Sequence, residues 1–541
     1  MDRIEVYNRQ SDQDRFSGFN SGETTKTINI VTRADRRNGQ FGKVLGGYGN
    51  DERYIAGGNI NLFNQDQRIS VIGLSNNINQ QNFSMQDIAG ALGSNGGRRG
   101  GGRAGGNMRR GGSGGNRMGG GGAASNFLVG QQSGITRTNS IGINYSDSYG
   151  KNSSIIGSYF FNNSNNTNDQ LLERSYFTSE EQLYNESNYS ANNNFNHRFN
   201  LRLEHNFDDK NQLVFTPRIN LQTNRSENNS NGSTMLQNTL LNQSGNNSNN
   251  KVSAYTVSGE ALFRHAFEKR GRTFTISLST DLNSREGKNN LTALNQFYQN
   301  DAPATEQINQ LTDNNSNTNT ITGKISYTEP VSTTGVLRFS YNASTRNGNS
   351  ERTSYTYDPV TNSYSEYIDS LSNGFNNDYF TNRFSTEYQF RKNKIQFSAG
   401  INYQNANLRS TQIFPETARF NRSFDNILPS LQFSYRPGRG KNLQINYRTN
   451  VSAPSIQDLQ NVIDNTNPLF LDAGNPDLKQ QYNHNIIARY NSVNQQNNQN
   501  FFVFLNARFT QQYITNATFL AAADTTLNGI FYGRAYSCHS R

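Results

Sequence analysis

Few residues of this chain are spaced for catalysis or for metal binding. The histidines lack the His-x-His and His-x-x-x-His spacings of metal ligands, and the single cysteine, Cys538, has no partner for a disulfide bond. Ser, His and acidic residues do not group in the order of a recognisable catalytic triad. The five histidines are His197, His205, His265, His484 and His539. The sequence therefore predicts no catalytic residue, no metal site and no cofactor, and it favours a protein that is not an enzyme.

Charged residues do occur within predicted strands, on the polar face. The carboxylates are interpreted as solvated residues of a wet interior, because acidic side chains are rarely buried without a partner. The arginines either favour anions in that interior or hydrogen-bond to polar neighbours. These residues are Glu204, Glu260 and Glu387, and Arg202, Arg338 and Arg448. None of them is assigned to a ligand, so the sequence leaves the ligand-binding residues unknown.

A glycine-rich basic segment, Gly93–Gly122, stands out by its composition. Segments of arginine and glycine can hold single-stranded nucleic acid loosely, but no aromatic residue interrupts this one to stack on bases. Its arginines are Arg98, Arg99, Arg103, Arg109, Arg110 and Arg117. The segment lies between two predicted strands, in the position of a long connection. We therefore expect an external loop and no nucleic-acid partner.

The elements that must position all these residues are β-strands. Apolar and polar residues alternate with a period of two through about seventeen segments, each of about ten residues. In one segment Ile395, Ile401 and Tyr403 lie on one face, while Gln396 and Asn402 lie on the other. About ten residues is the length that a tilted strand needs to cross a bilayer. The chain is therefore predicted to be all-β.

Short and long connections alternate between these segments. In an up-and-down meander successive connections lie at opposite edges, so every short turn falls on one rim and every long loop on the other. Outer-membrane barrels have this asymmetry, and a Greek-key sandwich has no reason to keep it. The predicted short turns are Ser146–Asn152, Asp208–Asn211, Glu268–Arg272, Thr328–Gly335, Arg391–Lys394 and Pro437–Asn442, and the predicted long loops are 81–134, 162–194, 222–250, 283–320, 344–380, 405–425 and 449–484.

The composition agrees with a barrel that has one apolar surface and a wet interior. Only 32% of the residues are hydrophobic, and mean hydropathy is −0.84. No run approaches the 18 or so apolar residues of a membrane-spanning helix. The net charge of +10 is spread along the chain. Aromatic residues near the strand ends are predicted to form girdles at the membrane interfaces, namely Tyr145, Tyr159, Phe390, Tyr435 and Tyr447.

Several motifs resemble one family. Ile4–Val6 (IEV) followed by Lys26–Thr32 (KTINIVT) is similar to the last plug strands of TonB-dependent outer-membrane receptors. Asn442–Pro454 (NLQINYRTNVSAP) and Asn467–Lys479 (NPLFLDAGNPDLK) resemble barrel segments of that family. Phe424–Ser430 (FDNILPS) is similar to the large-barrel branch found in Bacteroidetes.

The resemblance implies a large antiparallel transmembrane β-barrel in the cell outer membrane. It also implies that the barrel captures a nutrient or other ligand and takes it up across that membrane. The implied partners are outer-membrane lipid, the TonB system acting through a plug and, in some members, a surface lipoprotein. The domains expected on this basis are a plug remnant at 1–38, a barrel at 39–536 and an anomalous tail at 537–541. Family barrels have about 22 strands, so seventeen, with an eighteenth at Ile530–Tyr536, predict an incomplete barrel and a fragment.

Two other readings stay open at this point. One is a surface adhesin or secreted β-rich structural protein, whose alternating strands pack in a sandwich or solenoid. No fixed repeat of 20–50 residues supports it. The other is a disordered, aggregation-prone chain rich in Asn and Gln, which the regular strand spacing disfavours.

Overall fold

A computed structural model shows the architecture of the chain. It describes residues 3–10, 16–17, 24–31, 38–79, 133–176, 182–237, 239–298, 304–414, 417–438, 440–454, 458, 464–467, 470–473, 475, 477–494, 496–515, 517–520, 525–527, 530–532 and 537–540. Nearly all of these residues lie in strands, as the alternation predicts. A single turn of 3₁₀-helix at Asp369–Leu371 is the main exception.

The strands are numbered along the chain. They are β1 (Arg3–Gln10), β2 (Thr24–Val31), β3 (Gly39–Tyr48), β4 (Tyr54–Asn64), β5 (Gln67–Asn76), β6 (Ile135–Tyr149), β7 (Ser153–Tyr176), β8 (Gln182–Asn206), β9 (Asn211–Phe215), β10 (Arg218–Leu236), β11 (Thr239–Ala266), β12 (Thr273–Phe297), β13 (Ala304–Pro330), β14 (Gly335–Asp358), β15 (Ser363–Tyr367), β16 (Asn373–Lys392), β17 (Ile395–Phe414), β18 (Ala418–Gly438), β19 (Lys441–Ser452), β20 (Asp464–Asn467), β21 (Phe470–Ala473), β22 (Gln481–Asn494), β23 (Gln499–Gln511), β24 (Ala517–Leu520), β25 (Thr525–Leu527), β26 (Ile530–Tyr532) and β27 (Ser537–Ser540).

One antiparallel sheet contains 19 of these strands and follows the chain as a meander. β9 and β10 both pair with β8 and β11, so they are two halves of one strand. The interruption falls at Pro217, which has no N–H to donate to a ladder. β15 is a short return that pairs with β14. The remaining count is seventeen long strands, the number predicted from the alternation.

The two faces of the large sheet are opposite in character to those of a soluble sandwich. Among the described residues, the buried set has 36 polar or charged members and 12 hydrophobic ones. Large apolar side chains are instead exposed on the outer face, as at Leu278 (57%), Ile401 (61%) and Ile427 (64%). An interior of Asn, Ser, Thr and Gln with an apolar exterior is the arrangement of a transmembrane barrel with a polar lumen. The predicted fold class is confirmed.

All six predicted short turns lie on one rim. They connect β6 to β7, β8 to β9, β11 to β12, β13 to β14, β16 to β17 and β18 to β19, and none exceeds six residues. Positive φ angles at Gly150, Gly271 and Gly440 help the chain to reverse there. We call this edge of the barrel the turn rim and the opposite edge the far rim.

Five of the seven predicted long loops are wrong. The segments 162–194, 222–250, 283–320, 344–380 and 405–425 are mostly strand, because β7 to β18 continue through them, and β11 alone has 28 residues. Hydrophobic alternation marks only the part of a strand that faces lipid, whereas backbone pairing continues without it. Only 449–484 contains a long connection, from 453 to 480. Residues 80–132, which include most of the predicted 81–134 loop, lie outside the described residues.

Side-chain amides join these polar strand extensions. Asn163 donates to Asn193 Oδ1 at 3.1 Å, and Asn405 donates to Asp425 Oδ1 at 2.9 Å. Neighbouring strands hold such groups opposite or diagonal to one another, where cross-strand pairs add stability. The abundance of Asn therefore serves a tall polar wall rather than a set of long loops.

The first and last strands of the large sheet, β3 and β23, each have a register with one neighbour only among the described residues. Nine of the ten residues of β3 and 12 of the 13 of β23 are exposed. Inner strands are exposed mainly on alternate residues. Unpaired N–H and C=O groups are not stable in lipid, so these two edges need further backbone partners in the membrane.

The other strands form small separate sheets. β1 pairs with β2, with Ile4 opposite Ile30 and Val6 opposite Ile28, so the two motifs that resemble plug strands are neighbours. β27 joins β20, β21 and β24. The predicted eighteenth barrel strand at Ile530–Tyr536 does not join the wall: β26 pairs with β25 instead.

Candidate functional site

An apolar band runs around the outside of the wall next to the turn rim. On β17 the outward residues are apolar from Ile395 to Tyr403, and Asn405 is the first polar one. On the paired β18 the band extends from Tyr435 to Ile427 and ends before Asp425. Nine residues of tilted strand span roughly 25 Å, which is the height of the lipid-facing band of outer-membrane barrels. The tall polar extensions therefore project beyond the membrane on the far side.

Aromatic side chains mark both borders of this band. Tyr145, Phe390 and Tyr435 lie within four residues of the strand ends at the turn rim. Tyr159 and Tyr447 lie at the other border, each six residues inside its strand. These are the two interfacial levels at which aromatic girdles occur. The girdle role of the five residues agrees with these positions.

Histidines extend these girdles, which the sequence reasoning missed. At the far border the hydroxyl of Tyr159 is 3.1 Å from Nδ1 of His197, and that of Tyr447 is 3.0 Å from Nδ1 of His484. At the turn rim, His205 and His265 pack edge-on against Phe207 (4.8 Å) and Phe267 (4.6 Å). All four have the same parity as the apolar residues of their strands, and this signal could have identified them. The side chain of His539 lies outside the described residues.

The lumen wall holds charges in pairs. Arg338 of β14 forms an ion pair with Glu387 of β16, with 9% and 21% of the two side chains exposed. Arg202 pairs with Glu204 two residues along β8. Four of the six charged residues singled out in the sequence are thus brought together, and they satisfy one another. An unpaired ring of arginines that would favour anions is not what these four form.

The remaining two charged residues are separate. Glu260 is exposed on the inward face of β11 and makes no ion pair within the described part of the chain. Arg448 lies inward on β19, opposite Ser430 of β18 and Asn485 of β22. The structure brings neither of them into a cluster with the other candidates.

A short piece of the N-terminal region lies inside the barrel. The guanidinium of Arg264 is 5.6 Å from the centroid of the Phe16 ring, and Arg264 Nη1 donates to Gln212 at 2.6 Å. Ser17 is buried, with 4% of its surface exposed. Arg264 faces inward two residues from the end of β11 at the turn rim. The lumen is therefore occupied near that rim by residues that precede the wall in sequence.

The 453–480 connection enters the lumen from the far side. Gln480 at its end donates to the hydroxyl of Tyr379 at 3.0 Å and accepts from Asn426 Nδ2 at 3.1 Å. Burial raises the pKa of the Tyr379 phenol. Beside it, Arg383 Nε donates to Gln404 at 3.1 Å. Polar groups of four segments thus converge inside the wall, above the level of the apolar band.

Charges at the turn rim form a network around Glu329. Lys269 Nζ lies 2.6 Å and Arg272 Nε 2.7 Å from its carboxylate, and Tyr327 donates to it at 2.7 Å. The hydrogen bonds from Arg272, Lys269 and Tyr327 hold the pKa of the Glu329 carboxyl well below its usual range. The network joins two neighbouring turns, just outside the apolar band.

Neither a metal cluster nor a spanning helix is found in the part of the chain that the structure describes. No three His, Cys, Asp or Glu side chains there come close enough to hold a metal ion. Of the described residues, none belongs to a helix long and apolar enough to cross a membrane.

Comparison with known proteins gives one family. Residues 265–532 match the family described as "Outer membrane protein beta-barrel family". No curated protein matches the chain.

Two solved structures illustrate the likeness of fold. The ferric-catecholate import receptor Fiu from E. coli K12 is 9% identical, with a TM-score of 0.33, covering 94% of this chain and 86% of that one. The FrpB iron transporter from Neisseria meningitidis (F3-3 variant) is 8% identical, with a TM-score of 0.26, covering 90% of this chain and 80% of that one. At such scores neither likeness informs on ligand or mechanism.

Proposed function

We propose that this chain, an outer-membrane β-barrel protein, captures a nutrient or other ligand at the cell surface and carries it through its lumen. The observation that carries the proposal is the polar lumen that is occupied from inside. Phe16 contacts Arg264 of the wall and Ser17 is buried, while the far side opens into a tall polar wall. An unfilled barrel of this size would be an aqueous channel, whereas a filled one needs a gate.

The proposed gate is a plug of the TonB-dependent type. Its support is the resemblance of the IEV and INIVT strands, which pair with each other as β1 and β2. In this proposal 1–38 is plug, 39–536 is the transmembrane wall, and the TonB system of the inner membrane moves the plug to admit ligand. A surface lipoprotein that covers the far rim is a further proposed partner.

The adhesin alternative is not favoured. A sandwich or solenoid buries its apolar face, whereas the described strands here bury Asn, Ser, Thr and Gln and expose Leu, Ile and Phe. Such an apolar exterior would aggregate in water unless lipid covered it.

Conductance across a planar bilayer tests whether the N-terminal region fills the lumen. The protein as it exists in the outer membrane is expected to conduct little, and a variant lacking 1–38 is expected to open steady channels of much larger conductance. A matched control removes the same number of residues from 81–134. Equal conductance with and without 1–38 would contradict the plugged lumen.

Energised uptake is tested separately in cells. Growth on the limiting nutrient that this protein serves, identified by screening a deletion strain, is expected to be lost when either this gene or tonB is removed. Growth that survives loss of tonB would refute the TonB mechanism and leave the barrel assignment intact.

A further inference from the structure

Three basic side chains form a row on the outside of the wall, just beyond the apolar band. Arg225 of β10 is opposite Lys251 of β11, and Lys251 is opposite Lys288 of β12. All three are exposed and share the parity of the apolar residues below them. We call Arg225, Lys251 and Lys288 the basic row.

The basic row is not neutralised within the described chain. Lys288 Nζ lies 3.5 Å from Asp313 Oδ1, but neither Arg225 nor Lys251 makes an ion pair with a described residue. Like charges directly opposite each other on neighbouring strands destabilise a sheet. Such an arrangement is stabilised when an anion lies across it.

A cleft of about 260 Å³ opens directly below the basic row. It exists because the next positions toward the membrane, Thr223 and Ser253, are small. Its other walls include Phe195, Leu221 and Tyr255, which belong to the top of the apolar band. The cleft is therefore apolar toward the membrane and basic toward the outside.

Acidic residues around the row also have places in this picture. Glu286 lines the cleft on β12, one position below Lys288 on the same face. Glu227 lies above Arg225 on β10 and accepts from Asn229 at 3.2 Å. Glu286 thus lies between the basic row and the apolar band, where it can accept hydrogen bonds from hydroxyl or amide groups.

The depth of the row matches one layer of the bilayer. From Leu221 to Arg225 is four residues, or roughly 13 Å of tilted strand, which is about 10 Å along the membrane normal. Lipid phosphates lie in the layer just outside the hydrocarbon core. An acyl chain on Leu221 and Tyr255 would bring its headgroup to the cleft and its phosphate to the basic row.

We propose that the cleft and the basic row form a binding site for a phosphorylated lipid of the outer leaflet. The phosphate lies on Arg225 and Lys251, the polar link faces Glu286, and an acyl chain follows the band below. This site depends on the outer-membrane location alone, so it stands whether or not the chain proves to be a transporter.

Native mass spectrometry of the detergent-solubilised protein provides the test, with lipid A as the phosphorylated probe. The variant R225Q/K251Q is expected to bind lipid A about tenfold to thirtyfold more weakly than the parent. The matched control is R409Q/R419Q, which removes two outward arginines higher on the far side of the wall. It is expected to bind as the parent does. Circular dichroism and heat-shifted gel migration establish that both variants are folded.

Two further probes separate the lipid from a free anion. Lipid A without its phosphates is expected to bind at least tenfold more weakly, and millimolar inorganic phosphate is expected not to displace intact lipid A. Unchanged binding by R225Q/K251Q, or an equal loss in the control variant, would overturn the site. Full displacement by inorganic phosphate would show an anion site that does not recognise lipid.

Discussion

A charge placed on the lipid face should destabilise the barrel according to its depth. Leu278 is outward on β12 and 57% exposed in the absence of lipid. It lies five residues from the start of the strand and four from Leu282, the last apolar residue of the band. That places it near the middle of the hydrophobic layer. We predict that Leu278→Arg lowers the free energy of unfolding by about 2–4 kcal/mol, because a guanidinium there must be stabilised away from water.

The control is the same change on the same face of the same strand. Thr292 is exposed and 14 residues further along β12, above the band. Thr292→Arg should change stability by less than about 0.5 kcal/mol, as surface substitutions usually do. The comparison is informative because a soluble protein would respond oppositely: replacing a Leu exposed to water by Arg is neutral or favourable there.

Urea titration of both variants folded into lipid vesicles gives the two free energies. Tyrosine fluorescence is a suitable probe, since the chain has 27 Tyr and no Trp. Equal stability of the two variants would refute the assignment of the apolar face to lipid. A loss in Thr292→Arg as large as in Leu278→Arg would place the band at the wrong height.

Three further predictions follow from the site and the turns. Arg338→Met should cost about 2 kcal/mol by leaving the Glu387 carboxylate unpaired, and the double variant with Glu387→Gln should recover most of it in urea titrations. Gly440→Ala should destabilise by at least about 1 kcal/mol, because φ is +80° and a Cβ would lie 2.3 Å from a carbonyl oxygen, whereas Gly438→Ala, with open space, should not. Because the folded pKa of Glu329 is depressed, its contribution to stability is present above the unfolded value of about 4.3 and lost as pH falls below it. Glu329→Gln should therefore flatten the acid limb of stability against pH, and an unaltered limb would contradict the network.

The strand count and the sidedness of the wall could be read from the sequence because they depend on local rules. A period of two places Ile395, Ile401 and Tyr403 on one face whatever the rest of the chain does. Turn residues such as Gly440 mark where the chain must reverse. The turn rim therefore follows from sequence alone.

The height of the wall could not be predicted in this way. Strands such as β11 continue past the band through Asn and Ser, whose pairing depends on a partner strand distant in sequence. The same limit applies to the lumen: nothing local indicates that Arg338 meets Glu387, 49 residues away, or that Phe16 lies on Arg264. The basic row is likewise visible only once the register of three strands is known.

The most direct test of the account is an accessibility scan along β12. Single cysteines from 274 to 290, in a background with Cys538→Ser, carry a nitroxide in the reconstituted protein. Even-numbered positions from 274 to 282 are predicted to collide with oxygen dissolved in lipid, and odd-numbered ones with a water-soluble nickel chelate. Beyond 284 the even-numbered positions should also become accessible to the nickel chelate. Protection of the even-numbered positions from both reagents would mean a packed apolar core, and the membrane barrel would be wrong.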